Sequence, residues 1–267
     1  RLGPRPRIVA TTTPRAVPLV QRLVKSGHGI AITRGRTRAN AVQLPPAFLG
    51  AMESLYRGST LGRQELEGEL LEDLDGALWT RALIEQCRAT IAPDHDRLVR
   101  VVIGVDPPAS SQGDACGIVV AACQDDGRAL VLADCSVEKP SPERWAQAVA
   151  STSRAWRADR IIAEANQGGD MVKSVLRAAR INLPVRLVHA SRGKSARAEP
   201  VAALYEAGRV RHADVFPALE DEMCGLLTGG DYAGPGRSPD RADALVWALT
   251  ELMLDSRAEP AIRSWKG

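Results

Sequence analysis

The chain has 267 residues, 45% hydrophobic and 25% charged, with 35 basic against 32 acidic side chains and a formal net charge of +3. That length suits one large domain or two modest ones, and the composition excludes a disordered or fibrous chain. The small net charge does not mark a nucleic-acid binder, so any DNA surface must come from local clustering of arginine, the better partner for phosphate. Five cysteines, Cys87, Cys116, Cys123, Cys135 and Cys224, form no C-x-x-C pair. This argues against zinc and against a disulfide scaffold, and a reduced cytoplasmic protein is expected. No apolar run approaches a membrane span. The opening Arg-Leu-Gly-Pro-Arg-Pro-Arg leads into no signal-peptide core, and the chain reads as a fragment of a longer one.

In chain order, residues 7–10 read as a strand running into Thr11-Thr12-Thr13-Pro14. A short helix over 17–25 and a strand over 31–33 follow. Phe48, Met52 and Leu55 recur at helical spacing, and a charged helical segment covers 61–74. Gly76, Pro93 and a cluster of charge place a domain boundary near residue 95. Beyond it, Val101 to Val105 form a β-branched strand that ends in Asp106 and is stopped by Pro107-Pro108. Strands over 117–123 and 129–133, joined by the Asp125-Asp126-Gly127 turn, complete a meander. Ser141 and Pro142 start a helix with Trp145, Val149, Thr152 and Trp156 on one stripe. A fourth strand, 159–164, ends in Glu164. A helix over 171–180 and a fifth strand over 185–189 follow, and this alternation points to parallel pairing. Next come a basic loop, 192–197, a helix over 200–207, a short 209–212 segment and a helix around 219–227. The Gly-rich 229–236 loop leads to a last helix with Ser238 as N-cap and Pro239 as its first residue.

Three acidic positions stand out: Asp106, Glu164 and the Asp240/Asp243 pair. Two end buried strands and one opens a buried helix. If the first and fourth strands are neighbours, Asp106 and Glu164 share a sheet end, and the last helix can bring Asp243 to them. Carboxylates converging on one point stay ionised only with cations beside them. An all-oxygen set without His or Cys suits Mg2+ or Mn2+, and two such ions can clamp the oxygens of an in-line phosphodiester displacement. Taken singly, Asp106 reads as a turn residue and Asp240 as a first-turn helix charge. The unpaired acid ending an aliphatic strand, Glu164, is harder to explain as structure. Arg192, Lys194 and Arg197 follow a strand end on the side of the carboxylates, where a phosphate-bearing substrate would meet them.

The segments Ile103-Gly-Val-Asp106-Pro, Ile162-Ala-Glu164-Ala-Asn-Gln-Gly-Gly169, Gly193-Lys-Ser-Ala-Arg197-Ala-Glu-Pro200 and Ser238-Pro-Asp-Arg-Ala-Asp243-Ala-Leu-Val-Trp-Ala-Leu249 resemble the large terminase subunits of tailed bacteriophages and related gene transfer agents. The likeness runs over 98–254. In addition, Ile8-Val-Ala-Thr-Thr-Thr-Pro14 resembles the coupling motif of the terminase ATPase, and Gly62 to Glu69 resembles the segment that closes that domain. The resemblance implies an α/β chain with a ribonuclease H-like mixed five-stranded sheet flanked by helices, preceded by a truncated remnant of a P-loop ATPase domain. The expected division is a remnant over 1–95, a nuclease domain over 96–256 and a tail over 257–267.

The implied activity is metal-dependent endonucleolytic cleavage of double-stranded DNA during packaging, in the cytoplasm of the host or producing bacterial cell. The portal protein and the small terminase subunit would be partners, and no membrane is involved. Asp106, Glu164 and Asp243 map onto the family's metal-binding acids, while Asp240 departs from a pattern of two adjacent acids. No G-x-x-x-x-G-K-[ST] phosphate loop occurs, so ATPase activity is not expected of this chain. Two other classes compete: an actin-like ATPase or kinase, which would need a glycine-rich adenosine motif late in the chain, and a non-catalytic module docking on the portal.

Overall fold

The computed structural model describes residues 7–255 except 15–17, 27–28, 57–59, 71–72, 91–93, 109–114, 167–168, 180 and 192. The chain forms two compact units, Arg1–Glu72 and Asp73–Gly267. The first unit carries α1 (Pro18–Ser26), a 3-10 segment over Thr37–Gln43, α2 (Pro46–Tyr56) and α3 (Thr60–Glu67). Arg38 pairs with Glu53 at 2.7 Å, and Arg36 pairs with Glu67 at 3.3 Å. The strands expected over 7–10 and 31–33 are irregular backbone instead, and Ile8 is 95% exposed. A β-branched run without a neighbouring strand has no ladder to join.

The second unit begins at Asp73, ahead of the boundary expected near residue 95. Trp79, Ile84 and Cys87, on and beside α4 (Arg81–Gln86), are buried in the same core as the sheet. Burying one Trp and one Ile contributes several kcal/mol, on the order of 1.5–3 for each side chain, which ties this segment to the sheet. The expected tail over 257–267 lies outside the described residues.

Among the described residues the sheet has seven strands rather than five. They are β1 (Leu98–Asp106), β2 (Ala115–Gln124), β3 (Ala129–Asp134), β4 (Val137–Glu138), β5 (Arg160–Glu164), β6 (Val185–Val188) and β7 (Val210–His212). Their order is β6-β5-β1-β2-β3-β7, with β4 pairing β2. The first three form the expected antiparallel meander, while β1–β5, β5–β6 and β3–β7 are parallel. The two extra strands have only two and three residues, too few to show a period of two; they exist through pairing alone.

The strands bury both faces, as their near-continuous apolar runs require. One face packs against α5 (Pro142–Ala155) and α6 (Gly169–Ala178), using Val101, Ile103, Val105 and Ile161. The other packs against α7 (Lys194–Glu206), α8 (Pro217–Cys224) and α9 (Asp240–Leu249), using Val102, Val119 and Ile162. Strand alternation therefore assigns Asp106 and Glu164 to the α9 face. At the other end of that face stand Arg100, Arg160 and Arg186. The π-helical turn that ends α9 inserts Glu251 among them, 2.7, 2.9 and 2.5 Å from the three guanidinium groups.

Two glycines let α9 lie directly on the sheet. A Cβ at Gly104 of β1 would stand 1.9 Å from the carbonyl oxygen of Ala244, and one at Gly117 of β2 would stand 1.9 Å from that of Asp240. Only glycine permits backbone approach this close.

Candidate metal centre

The site forms where β1, β5 and α9 meet. The β1–β5 register aligns Val105 with Ala163, so Asp106 and Glu164, one residue further on, leave adjacent parallel strands at the same edge. Asp106 stands opposite Gly117 in the β1–β2 ladder. Because Gly117 also receives the first turn of α9, the glycine brings Asp240 and Asp243 to Asp106. Asp240 is nearly buried and accepts a hydrogen bond from the Ala115 amide at 3.1 Å. Asp243 is 2% exposed.

Lys194 and Arg197 were expected in a loop before a helix starting at Pro200. They lie on the helix itself: α7 begins at Lys194, after Gly193, and Pro200 stands in its interior. Proline prefers a first turn but is tolerated inside a helix when packing supplies the rest, and Val201, Ala202 and Tyr205 are buried here. Placement on a helix aims both cations at the carboxylates. The Lys194 ammonium lies 2.5 Å from Asp243 Oδ2 and donates to Ser238 Oγ at 2.7 Å. Ser238 is thus engaged by lysine instead of capping α9, whose N-cap position is Pro239. Arg197 spans two acids, 3.0 Å to Glu164 and 3.2 Å to Asp243, and stacks over the Trp247 ring at 4.7 Å. Arg192 lies outside the described residues.

Glu164 is oriented by two further donors, Asn166 Nδ2 and Trp247 Nε1, each at 2.7 Å. Asn166 is held in turn by the Ala190 amide, 2.7 Å from its Oδ1. Sequence reasoning missed these partners. Trp247 was detectable in principle, since it follows Asp243 by four residues on one helix, while Asn166 signals only that it follows a strand end.

Electrostatics reflects the crowding. Burial pushes the Asp106 carboxyl well above the usual range, and Asp243, Glu164 and Asp240 push it further. Burial also raises Asp243, against the opposing pull of Lys194 and Arg197. Burial would lower Lys194, but the charge of Asp243, with those of Asp106 and Asp240, holds it above its ordinary value.

Among the described residues, no three acidic, His or Cys side chains are gathered tightly enough to hold one ion as they stand; Lys194 and Arg197 instead hold Asp243 and Glu164. The donor chemistry nevertheless fits a divalent cation. Four carboxylates face two cationic side chains, the ligands are all oxygen, and the raised Asp106 is the acid that an added positive charge would relieve.

A family profile described as "Terminase RNaseH-like domain" matches residues 103–252. No curated protein sequence matches the chain. Among solved structures, the large terminase nuclease of thermophilic phage G20c is 14% identical, covering 66% of this chain and 98% of that one with a TM-score of 0.49. The G20c nuclease has been solved with bound cobalt and with bound magnesium. The large terminase of bacteriophage HK97 is 16% identical over 80% of this chain and 49% of that one, TM-score 0.48, so this chain spans about half its length. The nuclease domain of the P22 large terminase is 13% identical over 63% and 86%, TM-score 0.46. No helix among the described residues is long and apolar enough to cross a membrane. The family match covers more than half of the 267 residues and includes Asp106, Glu164, Asp240 and Asp243, and the chain therefore belongs to the terminase RNaseH-like domain family.

Proposed function

We propose that this chain is a metal-dependent endonuclease that cleaves double-stranded DNA as a phage, or a phage-like gene transfer agent, packages its genome. One observation carries the reading: β1, β5 and the first turn of α9 bring Asp106, Glu164, Asp240 and Asp243 to one edge of the sheet, where burial first and then the three neighbouring carboxylates push the Asp106 carboxyl up, and such a cluster disfavours its own ionised form unless cations are added. Asp106, Glu164 and Asp243, with Asp240, would hold two Mg2+ or Mn2+ ions. When bound, the ions would supply an activated water and charge neutralisation at the scissile phosphate.

The chain's own groups do the rest. Asn166 and Trp247 orient Glu164. Lys194 and Arg197, already beside the acids, are placed to receive a phosphate when cations release them from Asp243 and Glu164. Contacts of this kind are to the DNA backbone, so binding should weaken steeply with salt.

The first unit would be the end of a translocase domain, and the portal and small terminase subunit would be partners of the whole packaging assembly. The test is nicking and linearisation of plasmid DNA with Mg2+ or Mn2+. Wild type should cut, and Asp106→Ala, Glu164→Ala and Asp243→Ala should each lose at least a hundredfold in rate. A folded wild type that cuts with neither ion sinks the proposal, and ATP turnover would overturn the view that this chain carries no motor activity.

A further inference from the structure

The helix that presents Asp240 and Asp243 has no cap of its own. Its N-cap position is Pro239, which has no side-chain acceptor, and the Ser238 hydroxyl is engaged by Lys194. The first backbone N–H groups of a helix have no intrahelical partner. In α9 they find one twenty residues away in sequence. Glu222, on α8 and 4% exposed, accepts through Oε2 from the Arg241 amide at 2.7 Å and from the Ala242 amide at 3.2 Å. These are the second and third residues of α9, the amides an ordinary N-cap residue would serve. Through Oε1, Glu222 accepts from the Arg241 guanidinium at 2.8 Å. The same guanidinium lies 3.3 Å from Asp134 of β3 and pairs with Glu138 of β4.

The first turn of α9 is therefore gripped from two sides. Gly117 sets how closely it approaches the sheet, and Glu222 sets its position along and around the helix axis. Metal ligands tolerate about half an ångström of misplacement, and both aspartates ride on this one turn.

We infer that Glu222 is a positioning residue for the metal centre: a distant cap on α9 that places Asp240 and Asp243 for cation binding without touching a cation itself. The inference rests on the metal-dependent reading proposed above. Substitution of Glu222 weakens divalent-ion binding by loosening the first turn of α9, although every candidate ligand residue is still present. Partners of this kind typically alter metal affinity by about 10–100-fold.

The experiment is Mn2+ titration by calorimetry of wild type, Glu222→Ala and Glu222→Gln, with plasmid cleavage followed against Mn2+ concentration. Folding of each variant is checked by circular dichroism. Alanine should weaken Mn2+ binding at least tenfold. Glutamine keeps the size but sets an amide N–H against either the backbone donors or Arg241, and should weaken binding about fivefold. In both, the cleavage rate should recover toward wild type at saturating Mn2+, a change in metal requirement that a merely structural role would not produce. Wild-type Mn2+ affinity in folded Glu222→Gln overturns the inference, whatever alanine does to folding. If wild type itself binds no Mn2+, the metal reading falls and this inference falls with it, an outcome recognisable because it appears before any substitution.

Discussion

Gly117 and Asp240 touch backbone to backbone: a single added carbon at Gly117 would stand 1.9 Å from the Asp240 carbonyl oxygen. Since Gly117 is also the cross-strand neighbour of Asp106, one missing side chain sets the distance between two candidate ligands. Gly117→Ala must push α9 away from the sheet, because the clashing atom is backbone and cannot rotate aside. The expected cost is about 3 kcal/mol or more, at the upper end for overpacking. Cleavage should fall more than stability explains, because Asp240 and Asp243 move with the helix. Urea denaturation beside the plasmid assay checks this; an alanine variant with wild-type stability and activity would refute the close-contact account.

Asp106 should weaken the metal-free protein as the pH rises. Its folded-state pKa lies above the unfolded value, chiefly through burial and then through Asp243, Glu164 and Asp240. The folded state thus binds the extra proton. The stability this group contributes is present below the unfolded pKa and is lost as pH rises through the folded pKa. Glu222, pushed up to about 7 by burial, acts in the same direction. In EDTA, Asp106→Asn should melt about 3 °C or more above wild type at pH 8, the shift of roughly 1 kcal/mol in a chain of this size. The gap should shrink toward pH 4, and the variant should be inactive. A lower melting temperature for Asp106→Asn at pH 8 would contradict the crowding argument.

The strand-end acids were legible because β1 and β5 are β-branched runs whose last residue breaks the apolar pattern. Asp243 was legible from the apolar stripe that follows it. Glu222 and the two glycines were not, because each acts through a contact between segments far apart in sequence. No local period records that a carboxylate on α8 caps α9. The segment from 73 to 95 was misleading for a related reason. Gly76, Pro93 and its charges resemble a linker, yet Trp79 and Ile84 are fully buried, and a lone Trp carries no period. The position of Lys194 and Arg197 on a helix was obscured by Pro200, whose usual place is a first turn.

Glu251 offers a contrast between a buried acid that holds the fold and acids that serve the site. It is 3% exposed and pairs with Arg100, Arg160 and Arg186. Glu251→Ala would leave Arg100 buried without a countercharge, while Arg160 and Arg186, over a third exposed, can still reach water. The loss should be about 3 kcal/mol, toward the low end for a broken buried pair. The folded fraction should keep its metal dependence and cutting rate, because these groups lie at the opposite end of the sheet face from Asp106. Denaturation with cleavage assays at a temperature where the variant is folded separates the two roles.

Lys194 should compete with metal ions for Asp243. Its ammonium lies 2.5 Å from Asp243 Oδ2, a close ion pair whose charge holds Lys194 above its ordinary value and pulls Asp243 down against burial. A cation that uses this oxygen has to displace the ammonium and then tolerate a positive group nearby. Lys194→Met keeps the length of the side chain and removes its charge, and should tighten Mn2+ binding by about tenfold, since a like charge beside a site opposes added charge. The cutting rate at saturating Mn2+ should nevertheless fall, because the scissile phosphate loses a positive neighbour. Tighter binding with slower turnover is the expected signature in calorimetry and single-turnover assays. Weaker Mn2+ binding in Lys194→Met would mean that the lysine organises the carboxylates instead of competing for them.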